Sequence, residues 1–195
     1  MTTLFLDLAS HEGMLAIVDE SSLSCAAPID HRLSDAELVP LYESLLKEWG
    51  HSADHLRRLV CVTGPGGFTS IRNAVTFINA LAFGLDVPSA GLHLSDLYRA
   101  RDASQKAVWL HTTRRTAVFL RAPHDAEPQL IDVEALSSSV SEYPSWMGEL
   151  LPEHEARISS LPAAELRPLQ EMLPGLLSTL DFRKQTILPW YGRGI

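Results

Sequence analysis

The stretch Val62-Thr-Gly-Pro-Gly-Gly-Phe-Thr-Ser-Ile-Arg72, with the run behind it to Gly84, constrains this chain more than any other segment. Leu59-Val-Cys-Val-Thr63 is apolar and β-branched, the pattern of a buried strand. Gly64, Pro65, Gly66 and Gly67 then force a tight turn. A helix is expected to restart near Thr69 or Ser70, either of which can cap it. A strand, a glycine turn and a helix N-terminus in that order can hold an anion on free N–H groups. The turn is not a phosphate-binding P-loop, because no lysine lies between Lys47 and Lys106. Nor is it a dinucleotide loop, since Gly64-Pro-Gly66 lacks the third glycine at its spacing.

The helix carries more information than the turn. Ile71, Ala74, Val75, Ile78, Leu81, Ala82 and Leu85 recur at helical spacing and form a core stripe. A second stripe, Ser70, Asn73, Phe77, Ala80 and Gly84, runs beside it and is small except for Phe77. No charge occurs from Asn73 to Leu85, where an ordinary surface helix would carry Lys or Glu. Two readings stand: a helix buried wholly in its own domain, or one with a face in the core and a face against a partner helix.

The motif Gly64-Pro-Gly-Gly-Phe68-Thr69-Ser-Ile-Arg72 resembles the G-P-G-S-F-T-G-L-R signature of the TsaB (YeaZ) family. Ala80-Leu-Ala-Phe-Gly-Leu-Asp-Val-Pro-Ser-Ala-Gly91 is similar to that family's G-L-A-x-G-L-x-I-P-x-x-G. The likeness holds at matching spacing to the neighbourhood of Leu120 and then fades. It implies an α/β fold of the actin/sugar-kinase (RNase H-like) superfamily with two halves, 1–100 and a reduced 101–195.

Composition bounds the partners. The 195 residues suffice for a sizeable core. With no 18-residue apolar run and no signal-peptide pattern, a cytoplasmic chain is expected. Cys25 and Cys61 sit in apolar strand-like runs and read as buried thiols. Against 16 Lys and Arg stand 24 Asp and Glu, a net charge of −8. A chain gripping tRNA alone needs a basic surface, because phosphate neutralisation dominates such affinity. Any tRNA must therefore be held mainly by something else.

Along the chain, Thr3–Leu8, Met14–Val18 and Leu23–Ala27 read as three strands, with a turn at His11-Glu-Gly13. In the superfamily that the resemblance implies, an Asp ending the first strand helps hold metal and phosphate. Asp7 stands there, but Leu8-Ala9-Ser10 replaces the hydroxyl-rich Thr-Ser that follows in the family, so Asp7 and Ser10 are read as a vestigial phosphate position. Ser34-Asp-Ala-Glu37 is a capping box opening a helix that ends at Gly50, with a kink expected at Pro40. The segment from His31 to Leu46 resembles the family's H-S-x-x-L-x-P-x-I-x-x-L-L. In the family this helix and the one behind the glycine turn pack on the equivalent pair of the catalytic subunit TsaD. By that resemblance the partner surface comprises Leu38, Leu41, Tyr42, Leu45, Thr69, Ser70, Asn73, Phe77 and Ala80.

His51 and His55 are four apart but lack the remaining ligands of a metal motif, and read as exposed. Ala90–Tyr98 reads as a strand end and a short helix, and Ala107–Thr113 and Thr116–Arg121 as a hairpin turning at Arg114-Arg115, a solvated tip with an RNA or partner contact as the alternative. Thr112–Phe119 is similar to the family's D-A-R-R-x-E-V-Y, with Thr112 and Ala117 in place of the two acids. Leu130–Val133 reads as a strand, Ser137–Ser139 as a break, and Ala163–Leu180 as two helices parted by prolines. Pro189, Tyr191 and Arg193 match the family's P-x-Y-x-R ending.

No G-x-S-x-G elbow, carboxylate pair or Cys–His motif supplies an active site, and a protease is excluded. The resemblance implies a non-catalytic subunit of the system that makes N6-threonylcarbamoyladenosine (t6A) in tRNA. Its partners would be TsaD, the ATPase TsaE through the complex, and a second copy in isolation, with ATP and metal held by the partners. Ser70, Asn73, Ala74, Asn79 and Ala80 replace residues that are usually Gly, apolar, Gly, Lys and Gly, which fits a diverged paralogue or one matched to an unusual TsaD. Two alternatives remain open: an ATPase or small-molecule kinase using Asp7, Ser10 and the Gly64–Gly67 turn, and a self-associating scaffold unrelated to tRNA.

Overall fold

The apolar run Thr3–Asp7 forms strand β1, buried along its whole length. Such a strand must be covered on both faces. β2 (Gly13–Val18) pairs antiparallel with it from Asp7↔Met14 to Thr3↔Val18, and β3 (Leu23–Ile29) pairs antiparallel with β2. On the other side β4 (Arg58–Gly64) runs parallel to β1, and β5 (Ser89–His93) runs parallel to β4. Parallel neighbours need crossover connections. Helices α1 (Asp35–Trp49) and α2 (Phe68–Leu85) supply them, and the sheet order is β3-β2-β1-β4-β5.

The computed structural model describes residues 1–30 and 33–192. His31 and Arg193, two positions of the family resemblance, lie outside them. It divides into two compact units, Met1–Leu94 with Leu169–Ile195 and Ser95–Pro168. The second half is thus not one piece from residue 101 onward.

At the start of α1 the Ser34 N–H donates to the Glu37 carboxylate at 2.9 Å, the reciprocal bond of a capping box. At its end Gly50 takes the left-handed conformation, φ 78°. The helix continues through Pro40, and its stripe of Leu38, Tyr42 and Leu45 is buried. α2 begins earlier than its hydroxyl residues suggest. Gly67 is extended and its C=O accepts the Ile71 N–H at 2.9 Å, so Thr69 and Ser70 already lie in the first turn.

The second unit opens with α3 (Leu94–Arg101), whose first residue closes the first unit. Its sheet contains β6 (Val108–Arg114), β7 (Ala117–Arg121), β8 (Gln129–Asp132) and β9 (Trp146–Glu149), in the order β8-β7-β6-β9. β6, β7 and β8 pair antiparallel and β9 runs parallel to β6. This repeats β3-β2-β1-β4 without a fifth strand, the reduced half expected for the fold. Ser137–Ser139, expected as a break, belongs to the one-turn helix α4 (Leu136–Ser139), anchored by buried Leu136. A second short helix, α5 (Pro152–Glu155), follows β9. The core of this sheet gathers Val108, Leu110, Val118, Leu136 and Trp146.

In place of two helices over 163–180 there is one, α6 (Leu169–Ser178), which returns to the first unit and packs against β3. Pro174 lies inside α6, with Leu173 and Leu177 buried beside it. Among the described residues no helix is long and apolar enough to cross a membrane.

Candidate partner-binding face and strand-end crevice

In an open α/β sheet, ligands bind beyond the carboxyl ends of parallel strands. β1 and β4 end in that place at Asp7 and Gly64. Asp7 is fully buried, and its Oδ1 accepts the Ala9 N–H at 2.8 Å and the Ser10 N–H at 3.1 Å. The Ser10 hydroxyl donates to Oδ2. The carboxylate and hydroxyl read as a vestigial phosphate position therefore hold their own turn.

The glycine turn closes over them. A Cβ on Gly66 would lie 2.7 Å from the Ala9 carbonyl oxygen and 2.9 Å from its Cα, both backbone atoms. Gly64, at φ 127°, admits the carbonyl of Trp190, which a Cβ would approach to 2.5 Å. Pro65 is buried between them, while Gly67, Phe68 and Thr69 are exposed. Arg72 lies over the Phe68 ring at 5.4 Å. Beneath Asp7, burial first and the neighbouring Asp7 charge second push the Cys61 thiol up to about 12.

The helix behind the turn shows which of its stripes is covered. Ile71, Ala74, Val75 and Ile78 are buried. Ser70, Asn73 and Phe77 are half-buried, and Phe77 meets the Tyr42 ring edge-on at 5.4 Å between centroids, joining α2 to α1. Thr69, Arg72, Thr76, Ala80 and Gly84 face outward, and Phe83 is 91% exposed. Of the residues expected at a partner surface, Thr69 and Ala80 are therefore open, and Leu41, Ser70, Asn73 and Phe77 are partly so. Leu38, Tyr42 and Leu45 are 4%, 7% and 1% exposed and are core, because α1 turns that stripe onto the sheet. Its open side carries Val39, Pro40, Glu43 and Ser44 instead.

Thr76 and Phe83 on α2 and Val39 on α1, which sequence reasoning did not single out, are exposed. A signal existed: Thr69, Arg72, Thr76, Ala80 and Phe83 follow the three- and four-residue rule as well as the chosen stripe does. With every stripe free of acids, periodicity alone could not rank them.

Elsewhere, His51 and His55 are exposed and pack with Trp49, their own centroids 5.0 Å apart. Among the described residues no three metal-ligating side chains converge. In the second unit Thr112 Oγ1 accepts the Leu151 N–H at 2.9 Å and lies 2.9 Å from His154 Nδ1, while Ala117 is buried. Thr112 thus ties β6 to the segment after β9, while Arg114 and Arg115 stay exposed at the hairpin tip.

Residues 29–121 match the family model described as "TsaD: tRNA N6-adenosine threonylcarbamoyltransferase". The chain superposes on YeaZ from Pseudomonas aeruginosa with a TM-score of 0.70 at 19% identity, covering 97% of this chain and 99% of that one. A second structure, an uncharacterized protein with similarity to peptidase YEAZ from Pseudomonas aeruginosa, gives 0.65 at 18% identity, covering 98% and 99%.

Proposed function

We propose that this chain, a TsaB/YeaZ-type protein by its TsaD-family segment and its fold, is a non-catalytic cytoplasmic subunit in t6A biosynthesis. It binds and supports a TsaD-type catalytic subunit, and the resulting complex recruits the TsaE ATPase. The observation that carries the reading is the outer face of α2: uncharged from Asn73 to Leu85, small at Ala80 and Gly84, and bearing an almost fully exposed Phe83. Small residues let a second helix approach closely, and an exposed aromatic on an apolar face marks a binding surface. The buried Asp7 and the contact between Gly66 and Ala9 favour placing ATP and metal on the partners. The acidic balance favours tRNA held by the complex.

Co-purification with the TsaD of the same genome tests this reading, repeated with Phe83→Glu. Because Phe83 makes so little contact within its own chain, the variant leaves the fold intact and places an unpaired carboxylate in the interface. Loss of the complex is the expected result. Absence of a complex with the unaltered chain overturns the function, and a complex indifferent to Phe83→Glu moves the interface off α2.

A further inference from the structure

The turn between α1 and β4 holds two imidazoles side by side, and its backbone is fixed at both ends. Gly50 closes α1, its N–H donating to the Leu46 C=O at 3.0 Å. Ala53–His55 then forms a single 3-10 turn. The His55 N–H donates to the Ser52 C=O at 3.1 Å, the Leu56 N–H donates to the Ala53 C=O at 2.9 Å, and the Leu56 side chain is 1% exposed. His51 and His55 are thus carried on an anchored loop, with both side chains open to solvent.

The rings are ordered by contact with Trp49. Its centroid lies 4.7 Å from that of His51 and 6.3 Å from that of His55. The two imidazole centroids are 5.0 Å apart, their planes inclined at 42°. An imidazole binds zinc through nitrogen at about 2.0–2.1 Å, which puts its ring centre about 3.2 Å from the ion. Two such rings meeting at one ion with a right or tetrahedral angle have centres about 4.5–5.2 Å apart. The observed separation falls in that span.

The surroundings suit a cation as well. Ser52 Oγ lies 3.2 Å from His55 Nδ1. With Nδ1–H donating to that oxygen, the His55 lone pair is left on Nε2, the arrangement in which a second hydrogen bond orients a metal-binding imidazole. The Ser24 hydroxyl chiefly holds the Asp19 carboxyl below its ordinary value, and Thr2, the chain's amino group and His51 add to it, so a carboxylate stands within Coulombic reach of His51. Glu48 and Asp54 flank the pair in sequence, in a chain of net charge −8.

We propose that His51 and His55 form a two-histidine site for a borderline divalent transition ion, Cu²⁺ in preference to Ni²⁺ or Zn²⁺, with water completing the coordination shell. Two protein nitrogens accord with the lack of a third converging ligand among the described residues. A bound ion ties the end of α1 to the turn that enters β4 and stabilises the folded chain by mass action. Both ligands lie beyond α1, off the α2 face assigned to the partner.

The test is calorimetric titration of the untagged full chain with nickel chloride and, separately, copper sulfate. One ion per chain is expected at the pair, copper the tighter. His51→Ala and His55→Ala each weaken binding at least about tenfold, while His124→Ala leaves it unchanged. Both ligands are exposed, so the variants keep the fold. Electron paramagnetic resonance of the copper form shows hyperfine structure from two imidazole nitrogens in the parent and from one in either single variant. Nickel raises the melting temperature of the parent and not that of the double variant. No binding by the parent overturns the site. Single variants that bind as tightly as the parent, or a parent spectrum with one imidazole nitrogen, overturn the pairing.

Discussion

Substitution of Asp7 separates a structural carboxylate from a phosphate ligand. In Asp7→Ala the buried Ala9 N–H and the half-buried Ser10 N–H lose their acceptor, and the Ser10 hydroxyl loses its own. A hydrogen bond to a charged group contributes about 1.5–3 kcal/mol, and orphaning a buried donor costs about 1–3 kcal/mol. Ser10 is partly open to water and recovers some of its loss, so the expected destabilisation is roughly 3 kcal/mol. For a chain of this size each kcal/mol moves the melting temperature by about 2–4 °C, so roughly 6–12 °C is expected. Asp7→Asn keeps one acceptor oxygen and should lose only about 1 kcal/mol.

The assay is thermal unfolding by circular dichroism, with ATP binding followed by calorimetry on the same samples. Both variants are expected to bind ATP no differently from the parent. A parent chain that binds ATP, with Asp7→Ala abolishing that binding while melting normally, refutes the structural assignment. That outcome instead supports a kinase-like site at Asp7, Ser10 and the glycine turn.

Three further outcomes follow from individual environments. The Tyr42 hydroxyl is buried and has no hydrogen-bond partner among the described residues, so Tyr42→Phe should stabilise the chain by about 1 kcal/mol in denaturant unfolding. Destabilisation would reveal an acceptor or donor for that hydroxyl. Cys61, its thiol pushed up to about 12, should resist alkylation at pH 8 in the native state and react only on unfolding. Burial would raise the Asp102 carboxyl, but hydrogen bonds from Ser104, Ala107 and Lys106 outweigh it and hold the group below its ordinary value. Its stabilisation is thus present above the unfolded pKa and lost as pH falls through the folded one. Asp102→Asn should shrink the loss of stability on acidification below about pH 4, measured by denaturant unfolding across pH.

Local pattern determined a large part of this protein. Apolar runs announce β1, β2, β4, β6 and β7, Ser34 with Glu37 announces α1, and Gly50 ends it, because each signal acts within a few residues of where it is written. β9 escaped notice: Trp146-Met-Gly-Glu149 is too short to alternate, and it becomes a strand only through parallel pairing with β6. The uncharged character of α2 was legible, but its outward stripe was not. Burial of Tyr42 and exposure of Phe83 depend on how α1 and α2 meet the sheet.

The clearest case is Asn79. In sequence it is one polar residue in an apolar helix, and the family comparison marks it only as a departure. Its partner, Ile187, lies 108 residues away. No helical or strand period extends that far, so the pairing is set by the sum of packing that returns α6 and segment 182–191 to the first unit. The sequence by itself determined most of the elements and the absence of charge on one helix. Only the tertiary structure decided which faces stay open and what fills the crevice at the strand ends, because both depend on contacts between residues that no local pattern links.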